Sequence, residues 1–225
     1  MVADFNDPGA GNEERVSSRL SRRRALKASA AGIASMAWLL TIGHGGADLL
    51  DELARLAQGR PMTASRLATI LRDERTEWNA LLAAVGPSRM EIPGVEGNWS
   101  IKELVAHLTW YEQAVVEGAH QVMTTGAYTR RAMGAGNIDE RNARIAAESR
   151  SRPVAEVLAE ADAIFGQLLQ VIAAIPDDIL NDARLLGLPD DVPPWMRVAN
   201  NSYAHYRQHE ESVRAWLALH GSAQE

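Results

Sequence analysis

His205 and His209 stand four residues apart in the run Tyr203-Ala204-His205-Tyr206-Arg207-Gln208-His209. In a helix that spacing puts both imidazoles on one face, one turn apart. A third histidine, His107, lies far upstream in Trp99-Ser100-Ile101-Lys102-Glu103-Leu104-Val105-Ala106-His107-Leu108. Neutral imidazole is the commonest protein ligand for zinc and also suits nickel, copper and iron. Three histidines leave a coordination position open, which is the arrangement of catalytic rather than structural sites. An open position takes water and lowers its pKa, or takes a thiolate or a carbonyl. The competing arrangement is a His–His–Glu hydrogen-bond network with no metal.

The elements that must position these residues are helical. From Met62 onward no convincing period-two alternation is found, and four long stretches carry helical period. The first runs from about Thr63 to Ala84, with Thr63 as cap and Leu67, Leu71, Glu74, Trp78, Leu81 and Val85 on one stripe. The second opens at Ser100, where Ser100 and Glu103 form a capping box. Its stripe is Ser100, Leu104, His107, Tyr111, Ala114 and Gly118, fading after Met123. A Gly-rich stretch from Thr124 to Gly136 and a charged helix, Ile138 to Ser149, read as an excursion at one end of the body. The third long helix begins near Pro153 and ends at Pro176. A loop from Asp177 to Pro189 follows. The fourth helix has Asp191 as cap and Pro193-Pro194 in its first turn, and it ends at Gly221. Its stripe is Val198, Ser202, His205, His209, Ser212 and Trp216. The expected fold class is therefore all-α, a four-helix bundle.

On these stripes the three histidines replace apolar residues. Burying imidazole without partners costs a few kcal/mol per unsatisfied group, so a bound divalent metal, zinc or nickel, explains the three together. Glu74 is the charged residue on the first stripe. It reads as a fourth ligand, an acceptor from a histidine N–H or a general base, or else as a residue at the wet edge of a slightly rotated stripe. Tyr111, one turn beyond His107, is placed to donate to a substrate. Arg130 and Arg131, on the long connection, are candidates for meeting an anionic substrate.

Composition sets the outer bounds. The chain has 225 residues, is 46% hydrophobic and 23% charged, and contains no cysteine. Any metal is therefore held by nitrogen and oxygen. The formal net charge of −6 argues against a nucleic-acid partner and leaves a small molecule as the expected one. Residues 1–61 look like a separate piece, and 62–219 like the bundle. Within the first piece, Ser21-Arg22-Arg23-Arg24-Ala25-Leu26-Lys27 and the uncharged run after it have the layout of an export signal. The string resembles the twin-arginine motif, with Ala25 where Phe is usual. Export or membrane anchoring through this segment is one expectation. A cytoplasmic protein starting near Met62 is the other. Asp48 to Gln58 reads as a linker helix.

Asn98 to Leu108 resembles the second-helix segment of the DinB/YfiT-like superfamily, and His205-Tyr206-Arg207-Gln208-His209 resembles its fourth-helix metal motif. The resemblance covers roughly Met62 to Ala218. It implies a bundle of up-down-down-up order, with a divalent metal on residues matching His107, His205 and His209. The superfamily includes mycothiol-dependent maleylpyruvate isomerases and is similar to thiol S-transferases, which implies a low-molecular-weight thiol as co-substrate. Asp139 to Arg144 and Arg152-Pro153 look like the ClbS/DfsB branch, associated with protection against a reactive natural product. The resulting expectation is a metal-dependent S-transferase or hydrolase in detoxification. The alternative is a non-catalytic bundle that binds a small molecule or metal, or pairs with a second copy of itself.

Overall fold

The computed structural model describes residues 60–128, 137–187 and 192–220. The export-like segment, the linker helix, Asp191, Arg130 and Arg131 lie outside the described residues. Four bundle helices form the body, as expected: α1 (Ala64–Val85), α2 (Ile101–Thr125), α4 (Val154–Ala174) and a broken fourth, α6 (Pro194–Asn201) with α7 (Tyr203–His220). Two shorter helices join them, α3 (Ile138–Arg150) and α5 (Asp177–Asn181). Helix α2 packs on α3 and α4, while α1 packs on α4 and α7. The shared core includes Leu67, Leu71, Leu104, Leu168, Ile172 and Trp216, all almost completely buried. Each such side chain contributes about 1.5–3 kcal/mol of burial.

The helix starts follow local chemistry. Thr63 accepts from the Arg66 amide at 3.2 Å. Ser100 and Glu103 close a reciprocal capping box, the Ser100 amide donating to Glu103 Oε2 at 2.7 Å. Asn137 and Glu140 repeat the device at α3.

Three features depart from the sequence reading. A small antiparallel hairpin, β1 (Pro93–Glu96) and β2 (Trp99–Ser100), stands between α1 and α2, where no period-two alternation was found in the sequence. Glu96 pairs with Trp99 across Gly97-Asn98, a two-residue turn that needs positive φ, and Gly97 supplies it at 58°. Next, the fourth helix is not continuous. Ser202 has φ −135° and ψ −107°. Its hydroxyl donates to the Val198 carbonyl at 2.6 Å, and Asn201 Nδ2 donates to the Arg197 carbonyl at 2.7 Å. Side chains thus occupy carbonyls that amides of a continuing helix would use.

The third departure lies in the α1 stripe, which keeps Leu67, Leu71, Trp78, Leu81 and Val85 buried as expected but spreads to Ala68, Arg75 and Leu82. Arg75, not Glu74, is buried. Arg75 Nη1 donates to the Tyr206 hydroxyl at 3.0 Å, and Nη2 donates to Asp162 Oδ1 at 2.9 Å. The Tyr206 hydroxyl in turn donates to Glu112 Oε1, and the Tyr206 ring stacks on Trp78. This strut joins α1, α2, α4 and α7 through the residue next to His205.

Glu112 is 0% exposed. Burial pushes its carboxyl up to about 7, partly offset by Arg75 and by the bond from Tyr206. A carboxyl raised above its unfolded value stabilises the fold fully below about pH 4.5 and loses that contribution as pH rises through about 7. Glu112→Gln keeps an acceptor for Tyr206 and removes the titration. Relative to the variant, the urea midpoint of the wild type should therefore fall between pH 5 and pH 8. A constant difference across that range would contradict the sign.

Candidate metal centre

His107 lies on the second turn of α2, where every residue from Ile101 to Thr109 is buried. His205 and His209 lie on the first two turns of α7. The break at Ser202 sets the axis of that helix, so it sets where both rings point. One ring nitrogen from each histidine falls within a cluster no more than 4.8 Å across. His107 Nε2 and His205 Nε2 are 3.1 Å apart. Ligand nitrogens on a tetrahedral zinc, with Zn–N of 2.0–2.1 Å, stand about 3.4 Å apart. The cluster is of that size.

The rings are held by aromatic edges and by one carboxylate. Trp99 of the hairpin meets His107 at 5.2 Å between centroids, and the Tyr111 ring lies 4.9 Å from both His107 and His205. Glu96, at the end of β1, takes His209 Nδ1 at 2.6 Å. That partner fixes the tautomer, leaving the lone pair on His209 Nε2. His209 Nε2 is buried and has no hydrogen-bond partner among the described residues, and neither has His107 Nδ1 or His205 Nδ1.

Protonation favours the same state. Burial drives His107 down to about 3, with the neighbouring His209 adding to the effect and Glu96 opposing it. Burial drives His205 down to about 2, with His107 and His209 adding. Burial tends to raise Glu96, but its bond with His209 holds the carboxyl below the usual range. Two neutral imidazoles and an anionic Glu96 behind the third give three lone pairs for a cation. A hydrogen-bond network alone would leave the His209 Nε2 lone pair buried and unpaired, at about 1–3 kcal/mol. The donor set fits a divalent cation bound by nitrogen.

A pocket of about 780 Å³ opens in front of the histidines. It is lined by Glu96, Trp99 and Tyr111, by residues of α3 including Asn142, and by Arg197, Asn200 and Gln208. Helix α3 is therefore not an excursion away from the body, since it packs on α2 and forms a wall of the site. Tyr111 is brought to the pocket as expected. Its hydroxyl donates to Asn142 Oδ1 at 3.0 Å and accepts from Arg141 Nη2 at 3.1 Å. Glu74 is not brought to the histidines. Arg207 donates to it from Nε at 2.9 Å and also from Nη2. Positions 205 and 207 are about 200° apart around a helix, so a residue on Arg207 faces away from His205. Glu96 and Glu112 were not singled out from the sequence. The Gly97-Asn98 turn between Val95-Glu96 and Trp99-Ser100 was a usable hairpin signal. Glu112 carried none, since its burial depends on Arg75 and Tyr206 arriving from two other helices.

A family model described as the DinB superfamily matches residues 70–212. No curated protein matches the chain. Among solved structures, an uncharacterised protein from Escherichia coli UTI89 is similar at TM-score 0.58 and 14% identity, covering 73% of this chain and 98% of that one. The colibactin self-resistance protein ClbS, solved in complex with a dsDNA, is similar at TM-score 0.59 and 14% identity, covering 73% and 99%. A Streptococcus pneumoniae protein is similar at TM-score 0.60 and 10% identity, covering 70% and 91%. The ClbS complex overturns the expectation that nucleic acid is excluded as a partner. That expectation rested on net charge, a whole-chain sum. Contact with phosphates depends on where the charges lie, not on their total.

The lowered histidines make an acid prediction. A histidine held neutral in the fold binds fewer protons than its unfolded counterpart, so stability is lost as pH falls from about 6.5 toward about 3. In metal-free protein, His205→Asn should flatten that fall relative to wild type in urea titrations from pH 7 to pH 4. Parallel curves would show that His205 is not held neutral.

Proposed function

The chain belongs to the DinB superfamily, and from that premise we propose that it is a divalent-metal-dependent enzyme acting on a small molecule. The observation that carries the reading is the convergence of three buried ring nitrogens, backed by Glu96, at the floor of a pocket. His107, His205 and His209 would hold zinc or nickel. The metal supplies Lewis acidity, which readies a water or a low-molecular-weight thiol as nucleophile at neutral pH.

The chain's own residues do the rest. Glu96 orients His209 and keeps its proton on Nδ1. Trp99 and the Tyr111 ring wall the histidines from bulk water, which strengthens electrostatic interactions inside. Arg141 donates to the Tyr111 oxygen, and such a chain polarises the remaining O–H toward an acceptor. We assign Tyr111 as the donor to a substrate heteroatom, exchanging Asn142 for the substrate. Glu74 has no part in this reading, because Arg207 holds it elsewhere.

Transfer of a low-molecular-weight thiol and hydrolysis of a reactive compound both suit such a centre. A protective role is supported by the self-resistance function in the name of ClbS, a protein of the same fold. A binding bundle without turnover would use the same pocket and differ in consuming nothing.

Two measurements check the proposal. Dialysed wild-type protein should bind one equivalent of zinc or nickel by mass spectrometry of metal content, and His205→Ala should bind none tightly. Wild type that takes up neither metal sinks the reading. Glu96→Ala should weaken affinity in competition with a chelator about 10–100-fold, as loss of a histidine's carboxylate partner does elsewhere. Unchanged affinity would remove Glu96 from the account.

A further inference from the structure

The pocket has a second wall that the metal reading does not use. Helix α6 supplies Arg197 and Asn200 to it, three residues apart and hence on one face. The Arg197 guanidinium carbon lies 5.3 Å from the centre of the Tyr128 ring, an aromatic rest that uses none of its N–H donors. Among the described residues Arg197 forms no ion pair. The carboxylates on the pocket lining are Glu96, already bonded to His209, and Asp139, in the first turn of α3. Arg197 is the cation of that lining, and its fork of donors matches a carboxylate. Asn200 adds a complementary group. Its Oδ1 is buried with no hydrogen-bond partner among the described residues, an acceptor that a ligand N–H would satisfy without breaking an existing bond.

We propose that Arg197 and Asn200 form a recognition wall for a small carboxylate that carries an amide N–H beside it, held with its reacting end toward the histidines. Arg197 clamps the carboxylate, and Asn200 accepts from the N–H. The volume of about 780 Å³ is in the usual range for a small-ligand pocket. The inference deepens the reading of the histidines as a reaction centre and rests on it for the direction in which the ligand lies. Arg130 and Arg131, the sequence-based candidates for meeting an anion, lie outside the described residues, and the assignment of Arg197 is made apart from them.

The test compares N-acetylcysteine with N-acetylcysteine amide, which differ in one carboxylate. Binding to the full chain is followed by ligand-observed NMR, with the protein both zinc-loaded and metal-free. Wild type should bind the acid about tenfold more tightly than the amide in both states. Arg197→Gln should bring that ratio close to one while leaving helicity and zinc uptake unchanged. Asn200→Ala should weaken both probes by a similar factor, since both keep the N–H. Equal binding of acid and amide by wild type overturns the proposal, as does a ratio preserved in Arg197→Gln or no binding of either probe at millimolar concentration. Failure of zinc uptake would instead strike the metal reading, because the metal-free comparison reads Arg197 alone.

Discussion

Three imidazoles packed against one another, two of them buried, form the constraint around which this molecule is arranged. Burial holds His107 and His205 neutral, and at a nitrogen separation of 3.1 Å the two rings share either one proton or one cation. The rest of the architecture can be described by what it does for that cluster. The capping box at Ser100 fixes the start of α2, two turns before His107. The break at Ser202 resets the axis of the fourth helix just before His205. The hairpin brings Trp99 to one ring and Glu96 to another.

A second buried polar system lies behind the first. Arg75, Tyr206, Glu112 and Asp162 link four helices, and Tyr206 is the neighbour of His205 in the chain. Removing one partner of such a network leaves the others unpaired, which is costly. The strut therefore specifies how α7 is rotated against α1 and α2, and with it the direction of the histidines. The α7 faces divide the labour: Tyr206 and Arg207 meet α1, while His205 and His209 face α2 and the hairpin.

Much of this was legible in the sequence because helical period is a local signal. The apolar stripes of the first, second and fourth helices, the cap at Thr63, the capping box at Ser100 and the inward histidines all follow from residues within a few turns. What was missed depends on long-range partners. Glu74 and Arg75 are adjacent on α1 at the edge of the same stripe, and Arg75 is the one buried while Glu74 is half-buried against Arg207. The sequence offers no local reason to prefer Arg75, whose burial is compensated by Tyr206 and Asp162, 131 and 87 residues away. The helix break at Ser202 arises from two side chains bonding back to carbonyls, a choice that an uninterrupted stripe conceals. The role of Glu96 was within reach, since Gly97-Asn98 marks the turn that delivers it.

X-ray absorption on protein loaded with one equivalent of zinc tests the central claim most directly. The account predicts a first shell containing three imidazole nitrogens at about 2.0–2.1 Å, with the imidazole signature reduced in His107→Ala. A shell of oxygen donors alone, or one unchanged in that variant, would contradict it.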